Sequence, residues 1–286
     1  MSDGPAALTV VEPGPLTTVQ DAGRPGQGSL GIGRSGACDR RSYRLANRLV
    51  GNPEGAATLE VTLGGLVIRA ETDLWVAVTG APCPGVPLNS PVLLHRGEQW
   101  RMGVPPVGAR SYLAVRGGID VPEVLGSRST DVLARLGPDP VRAGDRLPIG
   151  PSSGTMPGVD VAAVPEPRAG DLRVQVLPGP RRDWFGDDAW ASLLGQRYTV
   201  TPDSNRVGLR LDGVPLERTR SGELVSEGML RGALQIPPAG TPVLFLADHP
   251  VTGGYPVIGY VADHDVDHCG QLQVGQGLYF TPLPIR

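Results

Sequence analysis

Residues 241–261 read TPVLFLADHPVTGGYPVIGYV, in which two apolar runs, 241–246 and 257–261, flank a polar, glycine-containing segment. Short apolar runs bounded by Gly, Pro or Asp are typical of β-strands that are joined by turns. The stretch therefore predicts strand, turn and strand, with Asp248, Thr252 and Tyr255 on the connection.

The same pattern recurs along the 286 residues, which contain 41 glycines and 30 prolines. Further strands are predicted at residues 8–11, 66–69, 74–78, 111–115 and 172–176. Helix signals are few. Residues 40–50 follow the N-cap candidate Asp39 and precede Gly51, and residues 187–194 begin with acidic residues. The sequence predicts a mainly β fold with a few short helices, built from closed or sandwiched sheets.

One stretch divides the chain. Residues 151–170 are rich in Pro, Gly, Ser and Ala and show little periodicity, which is typical of a linker or a long surface crossing. We therefore expect an N-terminal β domain at residues 1–150, a linker at 151–170 and a C-terminal β domain at 171–286.

The composition excludes several classes of protein. There is no lysine, and all 26 basic residues are arginine. The chain therefore lacks the lysine of a P-loop, of a pyridoxal enzyme and of a biotin carrier. A net charge of −3 gives no broad basic surface for nucleic acid or an anionic membrane. With no signal-peptide pattern and no apolar run of about 20 residues, we expect a cytoplasmic protein.

Residues 263–269, DHDVDHC, hold six potential metal ligands within seven positions. Taken alone they suggest a zinc or iron site. The alternative, a polar loop or helix start, is favoured because the segment needs ligands from elsewhere in the chain. We expect no metal here. The three cysteines Cys38, Cys83 and Cys269 are expected to be buried small hydrophobic residues rather than nucleophiles.

Three segments combine polar side chains with glycine, at residues 17–24, 204–213 and 247–256. Glycine permits a ligand to approach the backbone closely, and arginine forks onto carboxylates. The alternative is that these are stiff hairpins in which Asp and Asn side chains cap their own backbones.

Several ordered strings carry a family resemblance. They are PGPLTTVQD (13–21), ANRLVGN (46–52), LAVRGGID (113–120), LGSRSTD (125–131), NRVG (205–208), SEG (226–228), GALQIP (232–237) and TGGYP (252–256). Together they resemble subunit 2 of allophanate hydrolase, which is also known as the C subunit of the ATP-dependent bacterial 5-oxoprolinase. The same module is similar to part of the carboxyltransferase domain of urea carboxylase.

This resemblance implies cyclophilin-like β-barrel domains, with a barrel-like domain at 1–150 and a cyclophilin-like domain at 171–286. It implies a companion subunit 1 (or B), related to a kinase inhibitor of sporulating bacteria, and a third, lactam-utilisation-type subunit. The implied reaction is ATP-driven opening of 5-oxoproline, a small amide, to glutamate. No cofactor is expected on this chain, and ATP with Mg is expected to be used by the assembled complex. The chain alone is expected to be inactive.

Two other functions stay open. One is allophanate hydrolysis or carboxyl transfer from biotin to urea. Allophanate hydrolases that work alone use a Ser-Ser-Lys triad, and this chain has no lysine. The other is a non-enzymatic role, in which the chain sequesters a kinase inhibitor.

Two residues are the predicted catalytic pair. Arg206 is expected to hold the substrate carboxylate, because a guanidinium fork fits that group. Asp248 is expected to orient or deprotonate a nucleophile. The alternative is that Arg206 and Asp248 form a structural ion pair.

Five residues are predicted to bind substrate. Gln235 is expected to hydrogen-bond the amide, and Thr252 and Tyr255 are expected to line the pocket. Asp21 and Arg24 are expected to form the other wall, if the two halves face one cleft.

Overall fold

The computed structural model describes residues 5–220, 222 and 224–284. The chain divides into two compact units. Unit 1 takes residues up to Arg24, Ser35–Asp131 and Arg135–Arg168, and unit 2 takes Pro25–Arg34, Val132–Ala134 and the chain from Ala169 onward.

Unit 1 is built from two open sheets. Its strands are β1 (Ala7–Pro13), β2 (Leu16–Gln20), β3 (Thr58–Thr62), β4 (Leu66–Ala70), β5 (Leu74–Gly80), β6 (Pro91–Leu94), β7 (Gln99–Arg101), β8 (Arg110–Val115) and β9 (Arg146–Pro148). One sheet has the order β7-β4-β1-β9 and the other β2-β3-β8-β5-β6. Side chains from both sheets, such as Leu8, Ile68, Leu59 and Leu113, share one buried cluster, so the apolar faces of the two sheets stabilise each other.

The predicted first helix forms as α1 (Arg40–Leu49). The Asp39 carboxylate caps it by accepting a hydrogen bond from the Ser42 amide at 3.0 Å. Its apolar face, which includes Tyr43, packs against β5 and β8. Gly51 follows with φ +68, the left-handed conformation expected after a helix.

Unit 2 contains a closed barrel with the strand order β10-β17-β14-β15-β12-β11-β18. Its strands and helices are β10 (Leu172–Pro178), α2 (Asp187–Gly195), β11 (Tyr198–Val200), β12 (Gly208–Asp212), β13 (Glu227–Gly228), β14 (Ala233–Gln235), β15 (Val243–Phe245), β16 (Thr252–Gly253), β17 (Val257–Val261), α3 (Asp263–Cys269) and β18 (Gly277–Pro282). Strands β13 and β16 pair outside the barrel as a two-stranded ribbon.

Residues 241–261 contain β15 and β17, as predicted, but these strands do not pair with each other. Strand β14 lies between them and pairs antiparallel with both. Two strands that are neighbours along this stretch are therefore separated in the barrel, and their connection carries the β16 half of the ribbon.

The predicted fold class is confirmed: the chain is mainly β with short helices, and unit 2 holds a closed barrel, whereas the strands of unit 1 form open sheets. The expected linker is irregular, yet up to Arg168 it belongs to unit 1. Within unit 1, Arg116 Nη2 donates to the Gly154 carbonyl at 2.7 Å, and the Ala162 amide donates to the Asn89 carbonyl at 2.8 Å. Among the described residues, none of the helices combines the length and apolar character of a bilayer span.

Candidate functional site

The predicted catalytic pair, Arg206 and Asp248, meets inside unit 2. Arg206 Nε donates to Asp248 Oδ2 and Arg206 Nη2 donates to Asp248 Oδ1, each at 2.9 Å. Their side chains are 1% and 0% exposed. Two parallel charge-assisted bonds at this depth neutralise both charges.

Backbone contacts anchor this pair. The Asp248 amide donates to the Arg206 carbonyl at 3.1 Å, and Asp248 Oδ2 also accepts from the Val132 amide at 3.1 Å. The guanidinium fork predicted for a substrate carboxylate is therefore occupied by Asp248, and the geometry favours the alternative, a structural ion pair that ties residue 132 to the barrel.

Asp21 lies in unit 1 and is fully engaged there. Its Oδ1 accepts from the Gly23 amide at 2.7 Å and from the Ser127 and Ser129 hydroxyls at 2.6 and 2.5 Å. Its Oδ2 accepts from the Arg128 amide at 2.6 Å. Three of the four donors belong to residues 127–129, so the buried Asp21 carboxylate holds that segment against the end of β2.

Arg24, also in unit 1, is 1% exposed. Its Nη2 donates to the Ser129 carbonyl, and its Nη1 lies 3.9 Å from Asp131 Oδ2. Ser129 belongs to the 127–129 segment that Asp21 holds, and Asp131 follows that segment. The expected role of Asp21 and Arg24 as one wall of a substrate cleft stays a prediction.

The remaining three predicted residues come together in unit 2, beside the β13–β16 ribbon. Gln235 is 7% exposed, and its Nε2 donates to the Tyr255 carbonyl at 3.2 Å. Thr252 is exposed on β16, and Tyr255 is 45% exposed. A Cβ added to Gly253 would lie 2.6 Å from Gln235 Nε2, so the glycine leaves room for the amide.

Three charged residues that were not predicted to bind substrate belong to the same neighbourhood. Arg181 donates through Nε, at 2.9 Å, and Nη2 to the Glu227 carboxylate, which is carried by the ribbon. Arg218 Nη2 donates to the Ile236 carbonyl, and its Cζ lies 5.7 Å from the centre of the Tyr255 ring. We call Arg181, Arg218, Glu227, Gln235, Thr252 and Tyr255 the ribbon site.

No local pattern in the sequence could have marked these arginines. Arg181 and Glu227 are 46 positions apart, and Arg218 and Ile236 are 18 apart. The neighbourhood arises only when β14, β17 and the ribbon come together. Its chemistry, with a planar amide, an aromatic face and a guanidinium group, suits a small planar molecule that carries a carboxylate.

The remaining candidates are residues 263–269 and the cysteines. Residues 263–269 form α3, where Asp265 accepts from the Gln175 amide at 2.7 Å and Asp267 pairs with Arg231 Nη2 at 2.6 Å. Within the described part of the chain, no three His, Cys, Asp or Glu side chains are arranged to hold a metal ion. Burial raises the pKa of the Cys83 and Cys269 thiols, which disfavours the reactive thiolate.

Comparison with models of known protein families identifies the family of this chain. The model for the carboxyltransferase domain, subdomain A and B, matches residues 30–282. The chain belongs to the carboxyltransferase-domain family. The resemblance predicted from the ordered strings of the sequence is thereby confirmed.

Two curated relatives show how this carboxyltransferase-domain protein relates to others. It is 39% identical over 288 residues to the C subunit of 5-oxoprolinase from Escherichia coli, and the match covers 98% of this chain and 92% of that one. It is also 34% identical to urea amidolyase of Lachancea kluyveri. That match covers 98% of this chain but only 17% of the relative, which is much longer.

The solved structures include the urea carboxylase of Kluyveromyces lactis. That structure matches 99% of this chain with a TM-score of 0.91 and 32% identity, and this chain spans 28% of it. The same module thus occurs as a nearly full-length subunit and as one part of large enzymes.

Proposed function

We propose that this chain is the C subunit of an ATP-dependent 5-oxoprolinase that opens 5-oxoproline to glutamate. One observation carries the proposal: the alignment with the Escherichia coli protein runs along nearly the whole of both chains. The match to urea amidolyase spans 17% of that protein and supports a shared module. The match to the Escherichia coli subunit spans 92% of that protein and supports a shared role as a separate subunit.

The proposal assigns the ATP-binding groups of the reaction to other subunits. Hydrolysis of a lactam coupled to ATP needs phosphate binding, and this sequence has neither lysine nor a P-loop. We therefore place ATP, with Mg, on other subunits: a companion subunit 1 (or B) and a third, lactam-utilisation-type subunit. This chain carries no cofactor in the proposal. Its contribution is to bind and orient the small amide.

The ribbon site is the place where we propose that binding occurs. Gln235 is held next to Gly253 with its amide in a fixed plane, and Thr252 and Tyr255 present exposed polar groups beside it. A lactam has one carbonyl acceptor and one N–H donor, so an amide side chain is a complementary partner. Holding the lactam in one orientation lowers the entropic part of the barrier for the groups that attack it.

Reconstitution with each component left out in turn tests the proposal. The three subunits together, with Mg and ATP but without biotin, are expected to release glutamate and ADP from 5-oxoproline. The isolated chain is expected to hydrolyse none of ATP, 5-oxoproline and allophanate. Undiminished glutamate release when this chain is omitted would refute the proposal and leave a regulatory role.

A second candidate is favoured by the structural match to urea carboxylase. The TM-score of 0.91 over 99% of the chain supports a place for this fold in carboxyltransferase chemistry as well. Biotin-dependent formation of allophanate from urea that requires this chain would establish carboxyl transfer instead. Release of ammonia from allophanate by this chain with its companion subunit alone would establish allophanate hydrolysis.

A further inference from the structure

Arg218 differs from the other arginines near the ribbon. Arg181 is neutralised by Glu227 and Arg206 by Asp248, whereas no carboxylate of the described residues lies within ion-pair distance of Arg218. Its one hydrogen bond there is from Nη2 to the Ile236 carbonyl. A guanidinium group presents five N–H donors on three nitrogens, and the described residues accept a hydrogen bond from only one of these nitrogens.

Arg218 is also partly withdrawn from solvent. The side chain is only partly exposed, and its Nε is buried without a hydrogen-bond partner among the described residues. A buried donor that has lost water and found no acceptor is costly. A ligand oxygen that accepts a hydrogen bond from Arg218 Nε would satisfy this donor. A carboxylate has two oxygens, which can accept from the Nε and Nη groups together.

Tyr255 lies over this group. Its ring centre is 5.7 Å from Arg218 Cζ, which is a cation–π distance, and it follows Gly253 and Gly254 on an exposed connection. The ring therefore lies against one face of the guanidinium group.

We propose that Arg218 is the residue that recognises the carboxylate of the substrate, with Tyr255 as the side chain that covers it until the substrate binds. This assignment rests on the function proposed above and names the part of the ribbon site that selects a carboxylate-bearing lactam. It replaces Arg206, whose fork is filled by Asp248. Gln235, at the end of β14, then binds the amide group of the lactam.

The test uses the reconstituted three-subunit assembly and the Arg218→Gln variant. Loss of a charge-assisted, two-bond contact is expected to raise KM for 5-oxoproline by about 10- to 100-fold, with kcat changed by less than about threefold. Arg220→Gln is the matched control, because Arg220 is two residues away and forms an exposed ion pair with Asp183. Its KM is expected to stay within about twofold of the wild-type value.

A second substrate separates recognition from a purely structural role. In 5-oxoprolinamide a neutral amide replaces the carboxylate. Arg218→Gln is expected to lower the preference for 5-oxoproline over this analogue by about 10-fold or more, because only the carboxylate loses its partner. If both substrates lose turnover in equal proportion, Arg218 acts only through the fold and the assignment is wrong.

Arg218→Lys is the control for misfolding of the Arg218→Gln variant. Lysine keeps the charge but not the fork, so this variant is expected to assemble with the companion subunit and to raise KM several-fold. An unchanged KM in a folded Arg218 variant, in an assembly that still requires this chain, overturns the inference and leaves the proposed function standing. Turnover that does not require this chain refutes both.

Discussion

Replacing Asp248 by alanine is expected to destabilise unit 2 strongly. The change leaves the Arg206 guanidinium, 1% exposed, without the carboxylate that neutralises it through two 2.9 Å bonds. It also removes the acceptor of the Val132 amide. Breaking a buried ion pair from one side costs about 3–5 kcal/mol. With a urea m-value of about 3 kcal/mol/M, the unfolding midpoint should fall by about 1–2 M.

Urea unfolding followed by circular dichroism measures this shift, and Asp183→Ala is the control. Asp183 forms an ion pair with Arg220 in the same unit, but both side chains are about half exposed. Exposed pairs contribute about 0–1 kcal/mol, so the midpoint of the control should move little.

A double replacement, Arg206→Met with Asp248→Leu, decides between a structural and a catalytic pair. Apolar side chains of similar volume often restore the stability that a single replacement removes. If the pair is structural, the double variant should fold and keep most of the turnover of the assembled enzyme. A well-folded double variant with no turnover, or an Asp248→Ala midpoint equal to that of the wild type, would refute this reasoning.

Three further outcomes are expected. Gly253→Ala should push the Gln235 amide aside, since the new Cβ would lie 2.6 Å from Gln235 Nε2. This change should cost about 1 kcal/mol of stability and lower kcat/KM in a steady-state assay. Gly254→Ala is the control and should change neither quantity, because among the described residues its Cβ would approach only the Leu224 carbonyl, at 3.6 Å. Burial raises the pKa of the Cys83 and Cys269 thiols, so their contribution to stability is complete below pH ~8.5 and is lost as the pH rises above it. The urea midpoint should therefore fall between about pH 8 and pH 10. A thiol reagent should label the two cysteines only on unfolding. Co-expression with the companion subunit should give one heteromeric peak on gel filtration, and separate elution at micromolar concentration would argue against the assembly.

Local patterns were enough to predict much of the fold. The alternation and bounding residues of β5 and β17 are visible in the sequence, as are the Asp39 cap and Gly51 that delimit α1. These features depend on contacts within a few residues, which a sequence displays directly.

Long-range pairing was not predictable. The ribbon joins β13 and β16, each two residues long, and the separation of β15 from β17 by β14 depends on barrel closure. Such short strands carry no periodicity of their own.

The residues of the candidate site were predictable only in part. Gln235, Thr252 and Tyr255 lie on glycine-containing strings that carry the family resemblance, and the structure brings them together beside the ribbon; their role in substrate binding stays a prediction. The position of Arg218 next to Tyr255 depends on three-dimensional packing, which no local pattern displays. The pairing of Arg206 with Asp248 was one of two alternatives in the sequence, and only the structure shows the two hydrogen bonds between them.

The most direct test of the central claim, that this chain is an obligatory subunit of a 5-oxoprolinase, is a titration. Glutamate release from 5-oxoproline and ATP is measured while this chain is added to fixed amounts of the companion and third subunits. The rate is expected to start at background, rise in proportion to the added chain and level off at a fixed stoichiometry. A full rate before any of the chain is added would contradict the claim.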